Sequence, residues 1–241
     1  MAKKELSITN NTGLYHRAYI DVGNTQTKIV YRNNIEYVEK HINNRNMKNL
    51  VIKPVEKIIL SSVVPSITAY LKAKYANLHS VERAELNIMG LSPNIGIDRC
   101  VNLYASKALY DEKNVIVLDM GTATTITCMK DNEFIGGLIF PGMGLLASSL
   151  HTHTAQLPLV QQIMAGSELL AKETEVAMRA GIVNIACRGI NESLKAIIKA
   201  KGEKFLVVGT GGYILAMTES LHTVNIINHH LLLKGLEALY P

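Results

Sequence analysis

The sequence predicts an α/β protein of two tandem units, each with the order β-β-β-α-β-α-β-α, that face each other across a central cleft. Three observations support this: two segments that echo each other, a third strand after each, and alternating helix and strand patterns beyond them. Each echoed segment has an apolar strand ending in Asp, then Gly two residues and Thr six residues after that Asp. The segments are AYIDVGNTQTKIVYR at 18–32 and VIVLDMGTATTITCMK at 115–130.

The first unit begins with a predicted β-hairpin over 18–32, in which Gly23 allows a tight turn where a Cβ would clash. A polar turn at 33–34 and a third strand at 35–42 follow. A buried strand is predicted at 57–64, and Pro65 then begins an amphipathic helix to about residue 76, because proline favours the first helical turn. A strand at 85–89 and a helix at 99–109 complete the unit.

The second unit repeats the hairpin at 115–130, the polar turn at 131–132 and a third strand at 134–140. The segments after it are predicted as helices at 143–150 and 173–200, a strand at 205–209, a helix opened by 211–212, a strand at 223–227 and a helix at 230–240. No Pro-, Gly- or Ser-rich linker separates the units, so they should pack closely. We assign 1–17 to an N-terminal extension, 18–112 to an N-terminal domain and 113–241 to a C-terminal domain.

The composition predicts a globular protein with a mild attraction for anionic ligands. Apolar residues make up 48% of the chain and charged residues 19%, which excludes a disordered chain. The net charge of +5 is scattered, which favours solubility and mild attraction for anions over a nucleic-acid surface. No apolar run reaches the roughly 18 to 20 uncharged residues of a membrane span. Three widely spaced cysteines without a CxxC pair indicate a reducing cytoplasm.

The two hairpin tips have the residues of a phosphate clamp. Facing tips would supply backbone N–H groups and Thr hydroxyls to a polyphosphate. Asp21 and Asp119 end buried strands, where an unpaired charge is costly, so a cation is expected nearby. The alternative is that each Asp caps its own turn. The candidate phosphate donors are Gly23, Asn24, Thr25 and Lys28 in the first tip and Gly121, Thr122 and Thr124 in the second.

These motifs resemble the superfamily of actin, sugar and acetate kinases and heat-shock ATPases, whose fold is a pair of ribonuclease H-like domains. The resemblance to type III pantothenate kinases is closer and spans nearly everything after residue 17. DVGNTQTK at 21–28 and DMGTATT at 119–125 look like that family's phosphate motifs, and GIDR at 96–99 looks like its substrate motif. Further motifs follow in family order: GGLIFPG at 136–142, TAQLP at 154–158, TEVAMRAG at 174–181 and VVGTGGY at 207–213.

The resemblance implies a cytoplasmic homodimeric enzyme that phosphorylates pantothenate to 4'-phosphopantothenate, the first step of coenzyme A synthesis, with a substrate pocket shared across the dimer interface. It implies ATP with Mg²⁺ and a monovalent cation, K⁺ or NH₄⁺, held by Asp119. Asp98 would be the general base. The other implied residues are Asp21, Val22, Gly23, Asn24, Thr25, Gln26, Thr27, Lys28 and Thr122 for ATP, and Gly96, Ile97, Asp98, Arg99 and Thr174 for pantothenate.

The physical chemistry of the substrate motif leaves alternatives open. Phosphoryl transfer demands positioning and charge neutralisation more than a strong base, so an ordinary carboxylate is adequate at Asp98. Asp98 could instead cap the following helix, and Arg99 could pair with a substrate carboxylate. The segment MGLSPNI at 89–95 is shorter than in the resembled family and lacks its aromatic residue, so no pocket role is assigned there.

Two pairs of histidines have no predicted functional role, and two alternative functions remain open. His151 with His153, and His229 with His230, lack the spacing of a helical zinc site, so structural or surface roles are expected. A non-catalytic regulator of the same fold is the first alternative function. The second is another phosphotransferase or phosphatase of the superfamily.

Overall fold

The computed structural model describes residues 15–32, 37–164 and 168–241. The predicted turn at 33–34, the start of the third strand and nearly all of the N-terminal extension lie outside these ranges. The described chain forms two five-stranded mixed sheets, one in each half, together with α-helices. This architecture confirms the predicted α/β fold of two tandem units.

The first sheet is an antiparallel meander extended by two parallel strands. β1 pairs with β2 antiparallel and with β4 parallel, and the strand order is β3-β2-β1-β4-β5. Short 3₁₀ helices lie in two of the connections, Asn44–Asn49 between β3 and β4 and Arg83–Leu86 between β5 and α2. The elements are β1 Tyr15–Val22, β2 Gln26–Arg32, β3 Tyr37–Asn43, β4 Val55–Ser62, α1 Pro65–Lys74, β5 Leu78–Ser80 and α2 Ile97–Tyr110.

The second sheet repeats this topology. Its strand order is β10-β9-β6-β7-β8, so β6 occupies the central position that β1 has in the first sheet. Both sheets therefore bring the end of their first strand to the same kind of hairpin tip. The elements are β6 Val115–Met120, β7 Ala123–Lys130, β8 Glu133–Pro141, α3 Met143–His153, α4 Thr174–Lys201, β9 Leu206–Thr210, β10 Ile226–Ile227 and α5 Leu231–Leu239.

The predicted strand at 85–89 is wrong. The fifth strand lies earlier, at Leu78–Ser80, and 83–86 form a 3₁₀ helix. Its start is a capping box in which the Glu82 backbone N–H donates to Glu85 Oε1 at 2.6 Å, an arrangement that stabilises the first turn of a helix. The helix expected after 211–212 is likewise a 3₁₀ helix, Leu215–Ser220.

The two halves are joined by a pair of crossing helices. α5 follows the second sheet but packs against α2 and β1 of the first half. Gly235 makes the close crossing possible, because a Cβ there would lie 2.7 Å from Ala105 Cβ. The Tyr19 hydroxyl donates to the Tyr240 backbone carbonyl at 2.7 Å. One apolar core contains residues of both halves, including Ile59 of β4 with others of β6 and β9, so both sheets are held against one interior.

None of the helices in the described part of the chain is long and apolar enough to span a lipid bilayer.

The three cysteines, Cys100, Cys128 and Cys187, are buried and free. Burial raises the pKa of each thiol to about 11, so all three are weak nucleophiles at neutral pH.

Candidate active site

The two hairpin tips meet in a cleft of about 640 Å³ between the halves. The tip at 23–25 joins β1 to β2, and the tip at 121–122 joins β6 to β7. Thr25 Oγ1 lies 2.8 Å from Thr122 Oγ1, so the tips touch across the cleft. This is the facing arrangement that a clamp on a polyphosphate requires.

The two tips differ by one residue in length. Asp21 lies opposite Lys28 in the first hairpin, whereas Asp119 lies opposite Thr125 in the second. Thr27 and Thr125, each six residues after an Asp in the sequence, therefore do not occupy corresponding positions in the two hairpins. By register, Lys28 corresponds to Thr125, and both line the cleft. Thr27 is buried below the tip.

The second tip is held by close backbone packing. The Gly142 N–H, just after β8, donates to Thr122 O at 3.0 Å. A Cβ on Gly142 would lie 2.2 Å from Gly121 O and 2.5 Å from Thr122 O. Glycine is therefore required here for the backbone to approach the tip.

Three carboxylates and one lysine set the charge of the cleft. Desolvation raises the pKa of Asp21 to about 7, Lys28 lowers it in part, and Asp98 and Asp119 raise it further. Desolvation also raises the pKa of Asp119 to about 6, with Asp98 adding to the rise and Lys28 opposing it. Negative charge thus exceeds positive charge at the place where an anionic polyphosphate would bind, so added cations are needed.

Asp98 is the second residue of α2 and lines the cleft. The N-cap is Gly96, which has no side chain to cap the helix, so Asp98 is not the N-cap residue. Asp98 Oδ1 accepts the Arg99 backbone N–H at 2.8 Å. Desolvation raises the pKa of Asp98, and this hydrogen bond and the Arg99 charge offset only part of the rise. A Cβ on Gly96 would lie 2.4 Å from Asp98 Oδ1, so glycine leaves room for the carboxylate.

Arg99 points toward the second sheet. Its Nε donates to Thr127 Oγ1 at 2.9 Å, and its guanidinium carbon lies 6.0 Å from the centre of the Phe134 ring. Gly137 makes room for it, because a Cβ there would lie 2.6 Å from Arg99 Nη2. Arg99 is therefore anchored beside the cleft, and it is not among the residues that line it.

The cleft brings together most of the residues that the sequence singles out, but not all. Val22, Thr27 and Thr124 are buried, and Thr174 lines a separate apolar groove. Gly96, Ile97 and Arg99 adjoin Asp98 in the chain without lining the cleft. The expected residues that do line it are Asp21, Gly23, Asn24, Thr25, Gln26, Lys28, Asp98, Asp119, Gly121 and Thr122.

Asn102 is a cleft residue that the sequence reasoning missed. Its Nδ2 donates to Asp119 Oδ2 at 3.2 Å, while its buried Oδ1 has no hydrogen-bond partner among the described residues. The available signal was its spacing, because a residue four positions after Asp98 lies on the same helix face. His229 and His230 also line the cleft, which their lack of metal-site spacing did not indicate.

The surroundings of Asp119 fit a cation with few protein ligands. Its carboxylate and the Asn102 amide oxygen are oxygen donors of the kind that hard cations prefer. Within 15–32, 37–164 and 168–241, no three His, Cys, Asp or Glu side chains form a group that could hold a metal ion.

The apolar groove of about 840 Å³ lies on the second half, between β8, α3 and α4. Several of its apolar side chains are exposed, among them Leu138 at 43% and Ile185 at 76%. Thr174, the first residue of α4, lines the same groove. Exposed apolar surface of this extent is typical of an interaction site.

Sequence comparisons show high similarity to one family. The family profile described as type III pantothenate kinase matches residues 18–196. A type III pantothenate kinase of Methylacidiphilum infernorum is 36% identical over 192 residues, covering 76% of this chain and 70% of that protein. One of Listeria innocua is 36% identical over 206 residues, covering 80% and 77%.

Structural comparisons show the same fold in more distant proteins. A Campylobacter jejuni protein named for the Baf family of transcriptional activators aligns with a TM-score of 0.63 at 18% identity, covering 92% of this chain and 96% of that one. A Sinorhizobium meliloti protein named for 2-dehydro-3-deoxygalactonokinase aligns with a TM-score of 0.55 at 12% identity, covering 93% and 98%. At these identities the likeness concerns the fold alone.

Proposed function

This chain belongs to the type III pantothenate kinase family, and on that premise we propose that it transfers the γ-phosphate of ATP to pantothenate. The product is 4'-phosphopantothenate, the first intermediate of coenzyme A synthesis. The observation that carries the proposal is the 2.8 Å approach of the two tips, Thr25 to Thr122, beside a cleft that also contains Asp98. A phosphate clamp and a carboxylate for the acceptor hydroxyl are then in one place.

The ATP site consists of the two tips and Lys28. Backbone N–H groups of 24–26 and the hydroxyls of Thr25 and Thr122 face the phosphates, and the Lys28 ammonium neutralises part of their charge. The Gly23 N–H instead closes the tip by donating to Gln26 O at 3.0 Å. Asp21, opposite Lys28 in the hairpin, lies beside them. Val22 and Thr27 support the tip from below, because both are buried.

Asp98 is the proposed general base. The pantothenate hydroxyl oxygen forms a bond to the γ-phosphorus, its proton goes to the Asp98 carboxylate, and the bond from that phosphorus to the bridging oxygen breaks to release ADP. The desolvation that raises the pKa of Asp98 makes the carboxylate a better proton acceptor than an exposed one. Gly96, Ile97 and Arg99, at the start of α2, are the other proposed pantothenate contacts, with Arg99 as the candidate partner of the pantothenate carboxylate.

Mg²⁺ accompanies ATP, and a monovalent cation, K⁺ or NH₄⁺, is the proposed ligand of Asp119. Such an ion supplies positive charge beside the phosphates. Asp119 is oriented by Asn102 Nδ2. Gly211 leaves room for its carboxylate, because a Cβ there would lie 2.5 Å from Asp119 Oδ1.

The proposed assembly is a homodimer, and the position of Thr174 supports it. Thr174 lines the apolar groove and not the cleft, so it contacts pantothenate only if a second copy brings it to the partner's cleft. The exposed apolar groove supports such an interface. A cytoplasmic location remains a prediction, based on the cysteine pattern.

The main alternative functions are a regulator without catalysis and a different phosphotransferase or phosphatase. The fold of the Campylobacter jejuni activator-family protein is similar, so fold alone does not separate them. The presence of Asp98 and of both tips in one cleft favours catalysis.

The test is product formation. Purified protein is incubated with ATP, Mg²⁺, K⁺ and pantothenate, and phosphopantothenate is detected by mass spectrometry. We expect product that depends on pantothenate, and a slower rate when Na⁺ replaces K⁺. Absence of product would favour the regulator, and release of phosphate to water alone would favour a phosphatase. A rate that is the same with either ion would contradict the proposed cation site at Asp119.

A further inference from the structure

We propose that Asn44, a residue outside the cleft, is a positioning residue that holds the first phosphate tip in its binding geometry. This inference rests on the proposed function for the identity of the phosphate ligand. Asn44 follows β3 and begins the 3₁₀ helix Asn44–Asn49. It is partly buried and is not among the residues that line the cleft, so it acts through the tip.

Three hydrogen bonds join Asn44 to the first tip. The Asn44 N–H donates to Thr25 O at 3.1 Å. Its side-chain Nδ2 donates to Gly23 O at 2.7 Å, and its Oδ1 accepts the Thr27 hydroxyl at 2.8 Å. The orientation of the amide is fixed by chemistry, because only its NH₂ group is able to donate to a carbonyl oxygen. The side chain thus spans the turn from its first residue to the start of β2.

These bonds determine which backbone groups are free for phosphate. A carbonyl oxygen aimed at a phosphate would repel it, whereas an N–H group binds it. Asn44 holds the carbonyls of Gly23 and Thr25 from outside the cleft lining. The Thr25 side chain of the same tip reaches Thr122 of the opposite tip. Displacing the tip therefore changes the phosphate donors and the gap between the halves together.

The second tip shows the same requirement met in another way. Gly142 occupies the matching place after the third strand, and its N–H donates to Thr122 O as the Asn44 N–H does to Thr25 O. There the backbones pack so closely that no Cβ fits on Gly142. The first tip has room at this place, and the Asn44 side chain fills it with two further hydrogen bonds.

The side chain that caps the 3₁₀ helix is that of Asn43, and not that of Asn44. Asn43 is the N-cap of the 3₁₀ helix, and its side-chain oxygen accepts the Arg45 N–H at 3.0 Å. Asn43 makes the helix start, and Asn44 holds the tip. The two adjacent asparagines are therefore a matched pair for an experiment.

The experiment compares ATP binding by full-length Asn44→Ala and Asn43→Ala, measured by calorimetry with Mg²⁺·ATP and no acceptor. We expect Asn44→Ala to weaken ATP binding about tenfold, since two side-chain hydrogen bonds are lost and each contributes a few-fold. Asn43→Ala should stay within about twofold of the parent protein. In the kinase assay, KM for ATP should rise in Asn44→Ala while KM for pantothenate stays within about twofold. Equal ATP affinity in the two variants would overturn the proposal.

A second pair covers the case in which Asn44→Ala folds poorly. Thr27→Val keeps the shape but removes the hydroxyl that donates to Asn44, and Thr27→Ser keeps that hydroxyl. We expect weaker ATP binding for Thr27→Val and recovery for Thr27→Ser; equal binding by the two would overturn the proposal. Hydrogen exchange of the tip amides at 23–26 without nucleotide should rise in Asn44→Ala, with 121–123 unchanged. These readouts do not depend on the acceptor, so a protein that leaves pantothenate untouched would refute the proposed function and not this inference.

Discussion

At the scale of single residues, Asp98 has the most direct chemical test. Asp98→Asn keeps the size of the side chain and an oxygen for the Arg99 N–H, but it cannot take up a proton. We expect turnover to fall about 10²- to 10⁴-fold, as for loss of a general base, with ATP affinity within about threefold of the parent. Steady-state kinetics and calorimetry measure the two quantities.

Asp111→Asn is the matched control, because Asp111 lies at the other end of α2 in a left-handed conformation, φ 52°, that Asn tolerates equally well. It should leave turnover unchanged. Near-normal turnover in Asp98→Asn would mean that the carboxylate serves only the start of the helix.

The raised pKa values of Asp21 and Asp119 predict a pH-dependent stability of the protein without nucleotide. Asp21 titrates at about 7 and Asp119 at about 6 in the folded protein, against 3.8 as the ordinary value. Between pH 4 and about 7 the folded state therefore holds more protons than the unfolded state, so stability falls as pH rises through this window. We expect the melting temperature to fall from pH 5 to pH 7.5.

Asp21→Asn should flatten this slope, because it removes the group with the larger shift. Asp131→Asn, in the exposed turn between β7 and β8, is the control and should leave the slope as in the parent. Equal slopes in the two variants would show that Asp21 ionises as freely in the folded chain as in the unfolded one.

The site residues show what spacing predicts and what it misses. The two Asp-Gly tips and Asp98 follow from short motifs, because a turn or a helix start has a local signature. The correspondence of Lys28, and not of Thr27, with Thr125 could not be predicted, since it depends on the length of each turn and the first is one residue longer. Asn102 depends on the contact of α2 with β6, which local patterns do not contain.

At the scale of elements, the close packing of β8 against the second tip is open to test. Gly142→Ala would place a Cβ 2.2 Å from Gly121 O, so the tip backbone must move. We expect a loss of about 1–3 kcal/mol of stability, as for overpacking, together with weaker ATP binding. Urea unfolding and calorimetry measure these effects.

Gly121→Ala is the comparison within the same tip. Its Cβ would lie 3.5 Å from the nearest atoms, an ordinary contact. Its stability should therefore be higher than that of Gly142→Ala. The reverse order of stabilities would mean that the tip is free to shift without cost.

Most elements could be predicted from apolar periodicity and turn residues, and the errors have local causes. The segment 85–89 has the alternating pattern of a strand, since Leu86 and Ile88 alternate with polar residues and both are buried. The capping box of Glu82 and Glu85 instead begins a 3₁₀ helix. The strand Leu78–Ser80 is only three residues long and is defined by its pairing with β4, a long-range contact without a strong local pattern.

At the scale of the whole molecule, the apolar groove on α4 predicts the assembly state. Ile185→Lys would place a charge in the proposed interface, where desolvation without a partner is costly. We expect a monomer by light scattering, and a KM for pantothenate raised at least about tenfold, since Thr174 of the partner would be lost; the fold-change follows from one or two lost hydrogen bonds.

Val51→Lys is the control, because Val51 is an equally exposed apolar residue, at 75%, on the first half. It should stay dimeric and active. A dimeric Ile185→Lys would place the interface elsewhere. The domain division at 112–113 remains a prediction, since α5 returns to the first half and one core contains residues from both.

The contact between Thr25 and Thr122 has a kinetic consequence. A polyphosphate that passes between the tips would separate these two hydroxyls, which lie 2.8 Å apart. Nucleotide capture is then a two-step event, in which spontaneous parting of the halves precedes or accompanies docking and limits the association rate below the diffusional ceiling. Thr25→Ala would remove this contact and one proposed phosphate donor together, so we expect faster association of ATP, a shorter residence time and a lower affinity.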